Sequence, residues 1–185
     1  MTIIQVHRDW SGHARGVLLD AVYCGGLAVV SLAGLGLVLA GRPAAAARLS
    51  GRWQRLRGEP ATQPVRGLPV AGNALMGLVL GVLAVIPLGI EALFVARGVL
   101  YGVVDGGPYD TSWGGPTRGG AWLAHFLVGV PFALAGLAAL SGLALLHRRW
   151  TAYLAGERGG AWVVPVALLA CGAAAVLFVA WLHQI

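Results

Sequence analysis

The chain has 185 residues, of which 58% are hydrophobic and only 11% carry a charge. A soluble domain of this length would carry about a quarter charged residues, so this composition excludes an ordinary soluble protein. All thirteen basic residues are arginine, and the net charge is +6. Because most of these arginines lie in short connections between apolar segments, we expect no nucleic-acid partner.

Four apolar segments follow one another, at residues 16–41, 68–98, 120–147 and 161–183. Each provides the ~20 residues that a membrane-crossing helix needs. The first exceeds the ~7–15-residue core of a signal peptide, so we expect it to be retained as a span. The connections are too short for a separate soluble domain. The sequence therefore predicts an all-α polytopic membrane protein: one membrane domain, residues 1–185, folded as a four-transmembrane-helix bundle with short loops.

The arginines indicate which side of the membrane each connection faces. Nine lie in the first and third connections and four lie elsewhere. Cytoplasmic loops carry an excess of arginine and lysine, so both termini are predicted to lie outside. Arginine without lysine, in a chain rich in alanine and glycine, is typical of high-GC bacteria and suggests a bacterial cytoplasmic membrane. The nine arginines are Arg42, Arg48, Arg52, Arg55, Arg57, Arg66, Arg148, Arg149 and Arg158.

Residues 44–57 of the first connection predict a short amphipathic helix. Its apolar face would carry Leu49, Trp53 and Leu56, and the adjoining basic face Arg48, Arg52 and Arg55. This pattern is typical of a helix that lies on a bilayer and binds anionic lipid headgroups. The alternative is a docking site for an acidic partner protein.

Each span carries one ionisable residue near its predicted outer end. These residues are Asp20, Glu91, His125 and His183. Ionisable groups inside a membrane are costly and often mark functional sites. The second and third spans are joined outside, so antiparallel packing predicts Glu91 and His125 at similar height. Such a pair would relay protons, sense external pH or help to bind a cation. Asp20 is a third candidate for this intramembrane polar site, whereas His183 lies closest to the interface.

Two prolines are predicted to kink the second and third spans at matching depth. Pro87 lies eleven residues before Gly98, and Pro131 lies eleven residues after Gly120. Both positions are roughly 16 Å below the predicted outer ends. Because proline removes a backbone hydrogen bond, the carbonyls left without a donor need another partner, such as water in a cavity. The alternative is that these are ordinary prolines of membrane helices.

Small residues at four-residue spacing predict close helix packing, within the bundle or between two copies. Gly77 and Gly81 form such a pair in the second span, and Ala135 and Ala139 form one in the third.

The spacing of histidine and cysteine predicts no metal site and no cofactor. No H-x-x-x-H, H-E-x-x-H or C-x-x-C pattern is present, and Cys24 and Cys171 lie alone in different spans. A haem held by two histidines would need residues from different helices, such as His125 with His183. A haem- or metal-binding redox protein is therefore only the third functional alternative.

The loop at residues 98–119 contains Gly-Gly-Pro sequences that predict turns. Asp110, Thr111 and Ser112 could cap a short local turn. Alternatively, the loop covers the polar residues as a lid, with Tyr109 and Trp113 packing on the helix ends. The stretch YDTSWGGPTRGGAW, at 109–122, is followed closely by His125. It resembles a stretch in uncharacterised four-span membrane proteins of high-GC bacteria, and the resemblance implies no activity.

No spacing typical of a catalytic site emerges, so we expect a protein that is not an enzyme. The sequence favours an accessory, sensory or assembly component with an outward-facing polar site, acting as a homo-oligomer or with a membrane protein partner. The alternative is a small oligomeric transporter or proton-coupled channel that uses Glu91 and His125.

Overall fold

A computed structural model describes residues 3–58, 64 and 67–183, with side chains for residues 12–58, 64, 67–180, 182 and 183. Two of the arginines counted for the topology, Arg8 and Arg66, have side chains outside this description. The helices are α1 (Ile3–Leu39), α2 (Pro43–Gln54), α3 (Gly67–Leu83), α4 (Val85–Leu93), α5 (Tyr101–Val104), α6 (Arg118–Leu154) and α7 (Val163–Leu182). A 3-10 turn, Arg55–Arg57, follows α2, and a π-helical turn, Phe94–Val99, continues α4.

The prediction of an all-α four-transmembrane-helix bundle is confirmed. Four stretches of helix among the described residues are long and apolar enough to cross a membrane. They are Gly12–Leu39, Gly67–Val99, Arg118–Leu154 and Val163–Ala180. The second is built from three helical pieces in line, α3, α4 and the π turn.

The two prolines affect their helices differently. Pro87 has no N–H to bond the Leu83 carbonyl, so the regular hydrogen bonding is interrupted between α3 and α4, although Ala84 keeps helical dihedral angles. Pro131 lies inside α6, which continues without a break. The Pro87 carbonyl lies beside Gly136, five residues beyond Pro131 and thus about 7 Å along α6. The two prolines are therefore not a matched pair of helix breaks.

Helices α3 and α6 run antiparallel, and two tryptophans fix their ends. Trp122 donates its indole N–H to the Val99 carbonyl at 3.3 Å, and we name this side of the bundle the Trp122 end. Trp150 donates to the Gly72 carbonyl at 3.1 Å on the opposite side, the Trp150 end. An indole with its polar group bonded is typical of a membrane boundary.

The paired glycines of α3 bring that helix against α1. A Cβ atom at Gly81 would overlap the Ala28 backbone, and one at Gly77 would overlap the Ser31 hydroxyl. Small residues allow such approach where lipid gives no hydrophobic drive for association. Ala135 and Ala139 of α6 are exposed, so their spacing does not serve packing in this bundle.

The helix predicted at residues 44–57 is present as α2 and the 3-10 turn, but its place differs from the prediction. Gly41, with a φ of +70°, turns the chain back, so that α2 runs antiparallel along α1. The Trp53 ring packs on Gly26, and its N–H bonds the Tyr23 carbonyl at 3.1 Å. Both contacts lie well inside the span Gly12–Leu39. Trp53 of the predicted apolar face therefore packs against α1 rather than on lipid, whereas Leu56 remains 46% exposed.

Candidate functional site

The predicted contact between Glu91 and His125 is not formed. The Glu91 carboxylate fits against Gly136 in the middle of α6, where a Cβ would overlap its Oε1 atom. His125 lies eleven residues away on the same helix, about 16 Å along its axis. The Val99 carbonyl lies at Trp122, three residues before His125. Glu91 lies eight residues before Val99 on the second span and reaches Gly136, so Glu91 is the deeper of the two.

The structure places Asp20 in a buried ion pair instead of a site with Glu91. Its Oδ1 lies 2.7 Å from Nε of Arg57, and each side chain is only 14% exposed. The Arg57 guanidinium also lies 5.4 Å above the centre of the Tyr23 ring and bonds the Ala144 carbonyl at 3.5 Å. An arginine assigned to a cytoplasmic loop is thus held between α1 and α6.

His183, the fourth predicted residue, is exposed directly after the end of α7. Its backbone N–H bonds the Val179 carbonyl at 3.2 Å, and no described contact joins it to Asp20, Glu91 or His125. The four ionisable residues therefore occupy four separate environments.

His125 belongs to a pocket at the Trp122 end. Its ring stacks on Tyr101 with centroids 4.3 Å apart, and the Trp113 ring lies 6.4 Å away. Trp113 comes from the connecting loop, so this loop reaches His125, although the Trp113 side chain is 70% exposed. The Tyr109 ring lies 6.2 Å from Tyr101, and its hydroxyl donates to the Asp105 carbonyl at 2.7 Å.

This pocket, which we name the loop pocket, has a volume of about 610 Å³. It lies between the π turn, the connecting loop and α6. Its apolar wall includes Ile90, Phe94 and Phe132, and its polar groups include Arg97, Thr111 and His125. Ligand sites typically occupy about 300–1,000 Å³ and combine apolar walls with a few polar groups.

Phe94 and Arg97 are placed by the π turn. The Phe94 ring lies against Gly98 and Gly129, where a Cβ atom at either glycine would lie under 3 Å from the ring. Arg97 is exposed at the pocket and forms no ion pair with any described residue. Single π turns within helices frequently occur at functional sites. The loop pocket therefore combines an unpaired cation with a large apolar wall.

A second polar region, which we name the polar core, lies towards the Trp150 end between α1, α2, α3 and α6. The Tyr23 hydroxyl lies 2.5 Å from Nδ1 of His147. Thr151 Oγ1 lies 2.8 Å from Asn73 Oδ1, and the Asn73 amide donates to the Ser50 hydroxyl at 3.1 Å. Tyr23, Asn73, His147 and Thr151 are each at most 3% exposed. Buried polar groups of this kind fix one arrangement of the helices because each needs its partner.

Sequence reasoning missed the polar core, although a signal was present. The buried residues of α6 recur every three or four positions, which is the period of a helix face. From Ala133 to Ala144 this face carries only apolar or small residues. The next two positions on the same face are the polar residues His147 and Thr151. His147 stands beside Arg148 at the predicted inner end, so it resembled an interfacial residue.

Among the described residues, no three histidine, cysteine, aspartate or glutamate side chains come together as a metal site would require. No family model, no curated protein and no solved structure matches the chain.

Proposed function

We propose that this small multi-pass membrane protein binds an anionic amphiphile in the loop pocket and acts as an accessory or sensory component rather than as an enzyme. The carrying observation is the loop pocket itself, about 610 Å³ in volume, with Arg97 unpaired among its lining residues.

The arrangement of the pocket favours an amphiphile over a fully polar ligand. Ile90 and Phe132 extend its wall along α4 and α6 towards the middle of the spans. Arg97 and His125 lie nearer the Trp122 end, where lipid headgroups meet water. A guanidinium binds carboxylate or phosphate through charge-assisted hydrogen bonds. A molecule with an anionic head at Arg97 and an apolar body along Phe132 would satisfy both parts of the pocket.

Binding of cis-parinaric acid, a fluorescent fatty acid, to the purified protein tests this proposal. We expect saturable binding that Arg97→Gln weakens about tenfold, since a hydrogen bond to a charged group contributes about 1.5–3 kcal/mol. The neutral methyl ester should be insensitive to this substitution. Arg149→Gln, which removes an exposed arginine near the Trp150 end, is the matched control and should leave binding unchanged.

A bulky substitution separates the pocket from nonspecific partition into the detergent or lipid. Val128 lines the pocket, so Val128→Trp should abolish binding of both the acid and its ester. Binding of the acid that survives both Val128→Trp and Arg97→Gln would refute the proposal.

Proton-coupled transport is the second candidate, and Glu91 is the observation that favours it. Its Oε1 atom is buried and has no hydrogen-bond partner among the described residues. A carboxylate in that setting needs a proton or a cation. Proton flux into liposomes that carry the protein, lost in Glu91→Gln and kept in His125→Gln, would establish this role. A Soret band of the purified protein would instead establish the third candidate, a haem-binding redox role.

Anionic lipid remains the proposed partner of the basic face of α2. Arg48, Arg52 and Arg55 are all exposed, whereas Trp53 packs against α1. Co-purified lipid should be enriched in phosphatidylglycerol, and replacement of the three arginines by glutamine should remove this enrichment. A homo-oligomer or a second membrane protein on the same face is the other proposed partnership, and cross-linking in membranes would detect it.

A further inference from the structure

A very small cavity lies inside the polar core. Its volume is about 10 Å³, and residues from four helices line it, including Ser31, Ser50, Asn73 and His147. A cavity of this size, about one probe sphere, holds at most one water molecule. The surrounding side chains offer hydroxyl, amide and imidazole groups, which are the partners that a buried water needs.

One nitrogen of His147 is left without a partner in this cavity. His147 is 2% exposed, and its Nε2 atom is buried without a hydrogen bond of normal geometry to any described residue, although the Asn73 backbone lies within reach of the ring. The other ring nitrogen, Nδ1, lies 2.5 Å from the Tyr23 hydroxyl. If this hydroxyl donates to Nδ1, the proton of the neutral ring stands on Nε2. A buried N–H group without an acceptor destabilises the fold, so the Nε2 N–H group needs a hydrogen-bond acceptor.

Gly77 allows the Ser31 hydroxyl and His147 Nε2 to lie close to the same point of α3. A Cβ atom at Gly77 would lie 3.0 Å from His147 Nε2 and would overlap the Ser31 hydroxyl. Both polar atoms therefore face the same small space above a glycine of α3. The nearby charges of the polar core, Asp20 and Arg57, are already paired with each other. The space therefore suits a neutral ligand rather than a metal ion.

We propose that this cavity is a binding site for one water molecule, which accepts a hydrogen bond from His147 Nε2 and also bonds the Ser31 hydroxyl. The water joins His147 to the side of the cavity formed by Asn73 and Ser50. Thr151 continues this hydrogen-bonded chain towards the Trp150 end. The bound water is then the group with which the buried ring exchanges its Nε2 proton.

Nuclear magnetic resonance of the full chain, labelled with ¹⁵N-histidine in lipid nanodiscs, tests the site. We expect a cross-peak between the Nε2 proton of His147 and water. Gly77→Ala should remove this cross-peak, because the new methyl group would displace the Ser31 hydroxyl and lie 3.0 Å from Nε2. Gly89→Ala is the matched control, since a Cβ at Gly89 meets nothing within 4 Å, and it should keep the cross-peak.

Ser31→Ala gives an independent measurement if the alanine at position 77 prevents folding. Loss of one of the water's partners should speed the exchange of the Nε2 proton with D₂O at least threefold. An Nε2 proton that shows no contact with water would overturn the proposal. So would a ring that carries its proton on Nδ1, a cross-peak unchanged by Gly77→Ala, or an exchange rate unchanged by Ser31→Ala.

Discussion

The ion pair between Asp20 and Arg57 should dominate the stability of the contact between α1 and the segment after α2. Asp20→Asn keeps the size of the side chain and removes its charge, so that the Arg57 guanidinium stays buried without a counter-ion. Removal of one partner of a buried pair costs about 3–5 kcal/mol. Each partner is 14% exposed, so some solvent screening remains. We therefore expect about 3 kcal/mol for Asp20→Asn, the lower end of that range.

Arg57→Gln should cost more than Asp20→Asn because Arg57 makes two further contacts. Its Nη1 donates to the Ala144 carbonyl, and its guanidinium lies over the Tyr23 ring. The double variant should be less destabilised than the sum of the two single variants, by about 1–3 kcal/mol, because the groups are in direct contact.

The assay is reversible unfolding in mixed micelles, followed by circular dichroism as the fraction of denaturing detergent rises. Arg55→Gln removes an exposed arginine two positions away and is the matched control, with an expected change within about 0.5 kcal/mol. If Asp20→Asn changes stability no more than this control, or if the double variant equals the sum of the single variants, the buried ion pair is refuted.

Three further predictions follow from other contacts. Gly81→Ala should destabilise the protein by about 1–3 kcal/mol, because the methyl group would overlap the Ala28 backbone, whereas Gly36→Ala, in open space, should be nearly neutral in the same unfolding assay. Thr151→Val should cost about 1–3 kcal/mol, because the buried Asn73 oxygen loses its donor; a cost no greater than that of Thr111→Val, at an exposed loop position, would contradict this. A C-terminal reporter active only in the cytoplasm should stay silent if both termini lie outside, and an active reporter would reverse the topology.

The four spans were predictable because they depend on composition and length alone. Segments of more than about 20 apolar residues can form few structures other than a membrane-spanning helix. In lipid, every backbone N–H and C=O group must be hydrogen-bonded within the protein. The amphipathic pattern of residues 44–57 also predicted a helix. It did not reveal the position of α2, because the Trp53 side chain can be buried either in lipid or against another helix. In the structure it packs on Gly26 of α1.

The site was harder to predict because it depends on the register between helices. Glu91 and His125 were paired by their distances from the predicted span ends, and these distances do not determine that Glu91 lies beside Gly136 of α6. Arg57 and His147 stand among arginines in the sequence, where nothing distinguishes a solvated side chain from a buried one. Each became recognisable only through its partner, Asp20 for Arg57 and Tyr23 for His147.

The position of α2 has a consequence for the bilayer itself. Arg48, Arg52 and Arg55 remain exposed on a helix that runs beside the apolar span of α1. A guanidinium in the hydrocarbon region is costly, and membranes relieve this cost by local thinning and by letting water and headgroups approach the charge. The bilayer should therefore be thinner along this flank of the protein than around α7, which carries no arginine. Such a region of reduced bilayer thickness would attract other molecules that prefer thin or curved membrane.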